Sequence, residues 1–186
     1  MSEENVEIVR QPIAVRARSR RSVVEHLGLR LPWAAALLVR AVTRLPPRSR
    51  LRQAMVRYGV RWPIEAINRG DHEAAFMLIP HDYETVAPPE FVGLGFDPVY
   101  RGRDGRLRFH RAWVAELGEF QQETEEVIDC GDRVLLLARM KGSGLSSGAA
   151  FKGETAYLVT ISAGQLIREQ EFRSHQEALE AAGLSE

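Results

Sequence analysis

One cysteine, Cys130, stands in the 186 residues, so no internal disulfide braces the chain. The longest apolar run, Leu31 to Val39, falls short of the roughly 20 residues that a membrane-crossing helix needs. No charged-then-apolar leader with a cleavage site opens the sequence, and a reducing cytoplasm is the expected setting. The five histidines, at 26, 72, 81, 110 and 175, show neither H-x-H nor H-E-x-x-H spacing. With a single thiol beside them, they give no zinc pattern, and neither metal nor cofactor is expected. Internal repeats and low-complexity tails are absent too.

Lysine is missing where arginine is dense. Residues 10 to 61 hold thirteen arginines against one acid, Glu25, a net +12 that the rest of the chain balances to zero. Arginines interleaved with Leu, Val, Trp and Met at helical spacing suit packing against the acidic remainder of the chain or a twin subunit. An anionic membrane surface or nucleic acid is a second fit for residues 10 to 61. The arginines lie in helical segments without the aromatic interleaving of a single-strand reader, so no specific nucleic-acid partner is expected.

With 45% apolar residues the chain can fill a real core. Ser2 caps a short expected helix, Glu3 to Arg10, and RARSRRS (16–22) reads as a loop. Apolar spacing predicts a helix from Leu27 to Leu45, stopped by Pro46-Pro47, and another from Ser49 to Val60. Pro63 opens a further helical stretch, in which Gly70 ends one helix and Asp71 caps the next. A strand is expected over 82–87, a Gly/Pro-rich loop from Pro88 to Gly105, and a helix over Arg106–Leu117. The runs ETEEVIDC, RVLLLARMK, AFKGETAYLVT and LIREQEF then follow one another through short Gly-containing turns. Ser174 and Glu177 form a capping box for the last helix, which Gly183 ends. Helices followed by a meander of strands describe an α+β domain with one curved, mainly antiparallel sheet.

INRGDHEAAFMLIPHDYE (67–84), YRGRDG (100–105), EEVIDCGDRVLLLARMKGSG and ISAGQLIREQEFRSHQEALEAAGL carry a likeness across residues 62 to 186. The chain resembles the SnoaL-like polyketide-cyclase-type proteins of the nuclear transport factor two-like superfamily, which includes ketosteroid isomerase and limonene epoxide hydrolase. The resemblance implies a cone-shaped sheet wrapped around a pocket closed by helices. Residues 1–61 then form an arginine-rich helical extension on a cone domain of residues 62–186. It also implies a homodimer through the outer face of the sheet, and a small, largely apolar organic ligand. Pocket-facing parity would select Ile167, Glu169, Glu171 and Arg173 on the last strand, Glu154, Ala156, Leu158 and Thr160 on the strand before, and Tyr83, Thr85 and Ala87 on the first. Glu171 matches the hydrolase's last-strand catalytic aspartate. Ala87, Pro63 and Ala156 occupy the isomerase's functional positions, which argues against isomerase chemistry of that kind.

Two carboxylates two residues apart share a face of a strand. If Glu169 and Glu171 line an apolar pocket, burial and mutual repulsion raise at least one pKa. Glu171 would then carry the proton, with Glu169 and His110 tuning it and Tyr83 orienting the substrate. Thr85, Phe109, Trp113 and Glu154 complete the expected binding set. The other reading turns both acids to water and leaves a non-catalytic binding or assembly module. GLSSG (144–148) matches G-x-S-x-G, yet a strand follows it rather than the helix that a Ser146 nucleophile elbow requires, and a hairpin loop accounts for it. Gly142, Gly144 and Gly148 fail as a phosphate cradle for the same reason.

Overall fold

A computed structural model describes residues 20–118, 120–143 and 149–184. The expected Glu3–Arg10 helix and the GLSSG loop lie outside the described residues. The elements run α1 (Val23–Arg30), α2 (Pro32–Thr43), α3 (Arg50–Asn68), α4 (His72–Ala75), β1 (Glu84–Val86), α5 (Pro89–Val92), β2 (Val99–Arg101) and α6 (Gly102–Leu117). Then come β3 (Phe120–Asp129), β4 (Arg133–Ser143), β5 (Ala150–Ser162), β6 (Gln165–Phe172) and α7 (His175–Ala182).

The strands make one six-stranded sheet in the order β2-β1-β6-β5-β4-β3, antiparallel except for the β1–β6 pair. The sheet bears helices on both faces. On one, α7 covers Ile128, Leu135, Leu137, Ala156 and Leu158. On the other, α3 packs Ile64 against Val127, Val134, Leu136, Tyr157 and Ile161. Register shifts at Thr124/Glu126 and at Thr160/Ile161 interrupt the ladders; irregularities of this kind bend a sheet and raise its twist.

Three stretches depart from expectation. The helices anticipated on either side of residue 61 are one helix, α3, with Pro63 inside it. Proline withholds only one intrahelical hydrogen bond, while the second half of α3 buries Trp62, Ile64, Ala66 and Ile67, and that burial keeps the helix running. Asn68 then clamps α3 to β3, its amide donating to the Gln122 carbonyl at 2.7 Å and accepting from the Gln122 N–H at 2.8 Å. The helix expected over Leu27–Leu45 breaks at Leu31, where Pro32 opens α2. Finally, the 88–105 loop contains α5 and β2, and α6 begins at Gly102. There φ is +65°, and a Cβ would lie 2.7 Å from the His81 carbonyl oxygen, so only glycine fits.

The arginine-rich stretch is tied to the sheet by a buried fork. Arg52 donates from Nε and Nη2 to both carboxylate oxygens of Asp129, at 2.7 Å each. Its Nη1 donates to the carbonyls of Thr43 (2.7 Å) and Leu45 (2.9 Å), and Nη2 also reaches the Gly131 carbonyl. One guanidinium thus fastens the end of α2 and the β3–β4 turn to α3. At the other end of the stretch, Arg21 pairs with Asp71 at 2.6 Å and with Glu73 at 2.8 Å, holding the Asp71 carboxyl well below the usual range. No helix among the described residues is long and apolar enough to cross a membrane.

Candidate functional site

Strand register decides which side chains meet inside. Tyr157 on β5 lies opposite Glu171 on β6, and Val159 lies opposite Glu169. Leu136 on β4 pairs with Tyr157, and Thr85 on β1 pairs with Glu169. Both glutamates therefore project from the inner face: alternation along β6 puts them on one side, and the register puts that side inward, as the resemblance implies. Along β5 the expected parity is off by one residue: Thr155, Tyr157 and Val159 face inward, while Ala156 and Leu158 pack under α7. Glu154 accordingly stands exposed on the opposite face and accepts from the His175 backbone N–H at 3.0 Å, next to the start of α7. It is not a pocket residue. Ile167 also leaves the expected face, because the bulge pairs Thr160 with Arg168 but Ile161 with Leu166; Leu166 packs inward and Ile167 is exposed.

Between this inner face and helices α1, α2 and α3 lies a cavity of about 520 Å³. Its walls are almost wholly apolar: Ala35, Leu38, Val39 and Val42 from α2, Met55 and Val56 from α3, and Val134, Val159 and Ile161 from the sheet. The polar groups Tyr83, Arg106, Tyr157 and Glu169 also line it. Arg106, buried on α6, pairs through Nε with Glu169 Oε1 at 2.9 Å, and its guanidinium lies 5.1 Å above the Phe76 ring and 5.4 Å from Phe109. Tyr83 Oη donates to Glu169 Oε2 at 3.4 Å, and burial followed by the Glu169 charge raises the Tyr83 pKa well above its ordinary value.

Glu171 sits outside that cavity wall, in a second hollow of about 10 Å³ lined by Ile67, Arg106, His110, Trp113, Phe120, Gln122 and Tyr157. Burial, opposed by Arg106 and reinforced by the Glu169 charge, pushes its carboxyl up to about 8, so the group is mostly protonated at neutral pH. Burial wins because Arg106 is paired with Glu169, so that its pull on Glu171, that of Arg173 and the 3.2 Å hydrogen bond donated by Thr155 Oγ1 do not offset the loss of water. Gln122 Nε2 donates to Tyr157 Oη, while Gln122 Oε1 and Trp113 Nε1 find no protein partner. The hollow matches the size of a single water, which would satisfy both.

His110 is also buried here, its ring 4.7 Å from that of His72 and 5.6 Å from that of Phe120. Burial, then Arg106 and His72, press its pKa down to about 3. It is therefore neutral at physiological pH. Phe109 and Trp113 belong to a filled aromatic cluster with Phe91, Phe96 and Tyr100, and neither touches the large cavity. Thr85 is fully buried, off the cavity wall, and its hydroxyl has no protein partner. Of the expected binding residues, the large cavity thus gathers Tyr83 and Glu169.

Three residues that sequence reasoning passed over complete the constellation. Arg106 could have been found, because Arg106, Phe109, His110 and Trp113 fall at i, i+3, i+4 and i+7 on the buried face of α6. Tyr157 needed the strand register. Gln122 carried no local signal. Among the described residues no cluster of three or more His, Cys, Asp or Glu side chains could hold a metal ion.

No protein-family model and no curated protein matches the chain. Solved structures do match it. A nuclear transport factor two-like protein of unknown function from Burkholderia pseudomallei superposes with a TM-score of 0.57 at 18% identity, over 67% of this chain and 94% of that one. TerC co-crystallised with polyporic acid superposes at 0.56 with 19% identity, over 68% and 96%. A protein of ketosteroid isomerase-like fold from Catenulispora acidiphila, in complex with trimethylamine, gives 0.52 at 18% identity, over 68% and 92%.

Proposed function

From the nuclear transport factor two-like fold that this chain has, we propose that it binds one small, largely apolar organic molecule carrying a single polar group. The observation that carries this reading is the cavity of about 520 Å³, walled by aliphatic side chains and provided with Tyr83, Arg106, Glu169 and Tyr157. Ligand sites typically occupy about 300–1,000 Å³ and combine apolar walls with a few converging polar groups. The apolar body of the ligand lies against α2 and β5. Its oxygen or nitrogen function meets the Arg106–Glu169 pair and the two phenols. That TerC was crystallised with polyporic acid and the Catenulispora acidiphila protein with trimethylamine supports a small organic guest here.

The test is saturable binding of a panel of aromatic and alicyclic phenols, ketones and carboxylates, read by calorimetry and by the rise in melting temperature. Ala35→Phe, which puts a ring into the cavity, should weaken binding of the bulkier ligands, and Tyr83→Phe should weaken it by about three- to tenfold through one lost hydrogen bond. Bulkier ligands that bind Ala35→Phe as tightly as the parent chain would overturn the reading.

A second reading adds acid/base chemistry, and the raised Glu171 pKa favours it. Glu171 is not in the cavity wall, so it acts as a proton store behind Tyr157, which borders both hollows, while Glu169 is the carboxyl that meets the ligand. An infrared carbonyl band of a protonated carboxylic acid, present at pH 7 and removed by Glu171→Gln, is the expected signature. Its absence would leave ligand binding without proton transfer.

A further inference from the structure

Helix α2, PWAAALLVRAVT, is apolar on two sides. Ala35, Leu38, Val39 and Val42 line the cavity. On the opposite side Trp33, Leu37, Arg40 and Arg44 recur at i, i+4, i+7 and i+11, a single stripe, and Trp33 is 65% and Leu37 56% exposed. Val23, Leu27 and Leu31 of the adjoining α1 segment are 75%, 53% and 43% exposed. A helix that is apolar all round is ordinarily buried on every side. Here Trp33 and Leu37 stay largely exposed on the outer side, and the β5–β6 turn at Gly164 reaches the stripe only at Arg40.

Charge says what fits there. From residue 20 to 61 the sole acid is Glu25, which is buried and bonded to Arg69, so this part of the surface presents no carboxylate. Arg20, Arg30 and Arg44 are exposed around the apolar stripe. A second copy of this chain set face to face would bring like charges together. An apolar stripe with a tryptophan and flanking arginines is instead the arrangement of a helix lying in a membrane interface, its Trp and Leu among the acyl chains and its guanidinia at phosphate level.

We propose that the α1–α2 face docks on an anionic lipid bilayer, with Trp33 and Leu37 inserted and Arg30 and Arg44 on lipid phosphates. The proposal stands apart from the ligand reading in its inserted residues, because Trp33 and Leu37 do not line the cavity, although Leu27 and Leu31 of the α1 segment border its mouth.

The full chain is mixed with vesicles of phosphatidylcholine containing phosphatidylglycerol, and with phosphatidylcholine alone. Sedimentation with the anionic vesicles only, weakening as salt rises, is expected. Trp33 emission should shift to the blue and be quenched by brominated lipid, a signal missing in Trp33→Phe; Trp62 and Trp113 are already buried. Leu37→Asp should abolish sedimentation. The double variant Arg30→Gln/Arg44→Gln should weaken it by about thirtyfold, from roughly one kcal/mol per arginine. Unchanged melting temperatures in both variants tie these losses to docking and not to folding. The proposal fails if neutral vesicles bind equally well, if no vesicle binds, or if the variants sediment as the parent does. It also fails if Leu37→Asp halves the mass seen by light scattering, which would make a second copy the occupant, or if the arginine pair is needed only for binding nucleic acid.

Discussion

The inner face of the sheet has a solid region and a hollow one. Against α5 and α6 it is filled by rings: Phe91 and Trp113 meet edge to face at 4.5 Å, Phe91 and Phe96 stack at 5.0 Å, and Tyr100 and Phe109 lie 5.1 Å apart. Against α1, α2 and α3 the same face meets Ala34, Ala35, Val39 and Val42, whose short side chains leave about 520 Å³ open. A single sheet thus supports dense packing or a chamber according to the volume of what each helix presents. The shape of the chamber is set by α2, a helix of the arginine-rich stretch, as much as by the strands.

Four variants break or sharpen this contrast. Arg52→Ala should have the largest effect. It leaves Asp129 charged and buried and frees the carbonyls at the end of α2, so a loss of about 3–5 kcal/mol is expected in denaturant unfolding. Trp113→Ala empties the solid region and should cost about 3–5 kcal/mol as well, with the cavity left largely unrelaxed. Ala35→Phe puts a ring into the hollow region and should cost less than the roughly 1–3 kcal/mol of overpacking a filled core. Equal destabilisation by this variant and by Trp113→Ala would erase the distinction between the two regions.

The smallest effect is one of pH. The Glu171 pKa, raised by burial to about 8 from about 4.5, means that the folded state holds a proton the unfolded state releases, so stability falls as pH rises through that interval. His110, lowered to about 3 from about 6.5, acts in reverse, and its contribution is lost as pH falls through that window. The two oppose each other between about 4.5 and 6.5 and leave a decline above it. Melting temperatures from pH 6.5 to 8 should drop in the parent chain and stay level in Glu171→Gln; parallel curves would show that another group governs the decline.

Much of this architecture is legible in the residues. The β3–β6 meander, the Ser174 cap and the Gly183 stop of α7 follow from alternation and capping chemistry, and β6 alternation places Glu169 and Glu171 on one face, with the inward direction resting on the family resemblance. What escapes is relational. A strand shows which of its residues share a face, but only pairing shows which face is inside, and so Tyr157 was passed over for Glu154. β2 and α5 are three and four residues long, too short for a period to register beside the surrounding Gly and Pro. Arg106 is hidden for another reason. A lone arginine within an apolar stripe reads as a solvated edge until the carboxylate that draws it inside, 63 positions later in the chain, is in view.

The position of one guanidinium, paired with Glu169 and within electrostatic reach of Glu171, has a thermochemical consequence. A guest anion that claimed Arg106 would cancel the cation that opposes burial at Glu171, and so hold the Glu171 carboxyl more firmly in its neutral form. Near pH 8 such a guest would take up part of a proton as it binds, and its heat of association would vary with the ionisation enthalpy of the buffer, whereas an uncharged guest of the same shape would give one value in every buffer.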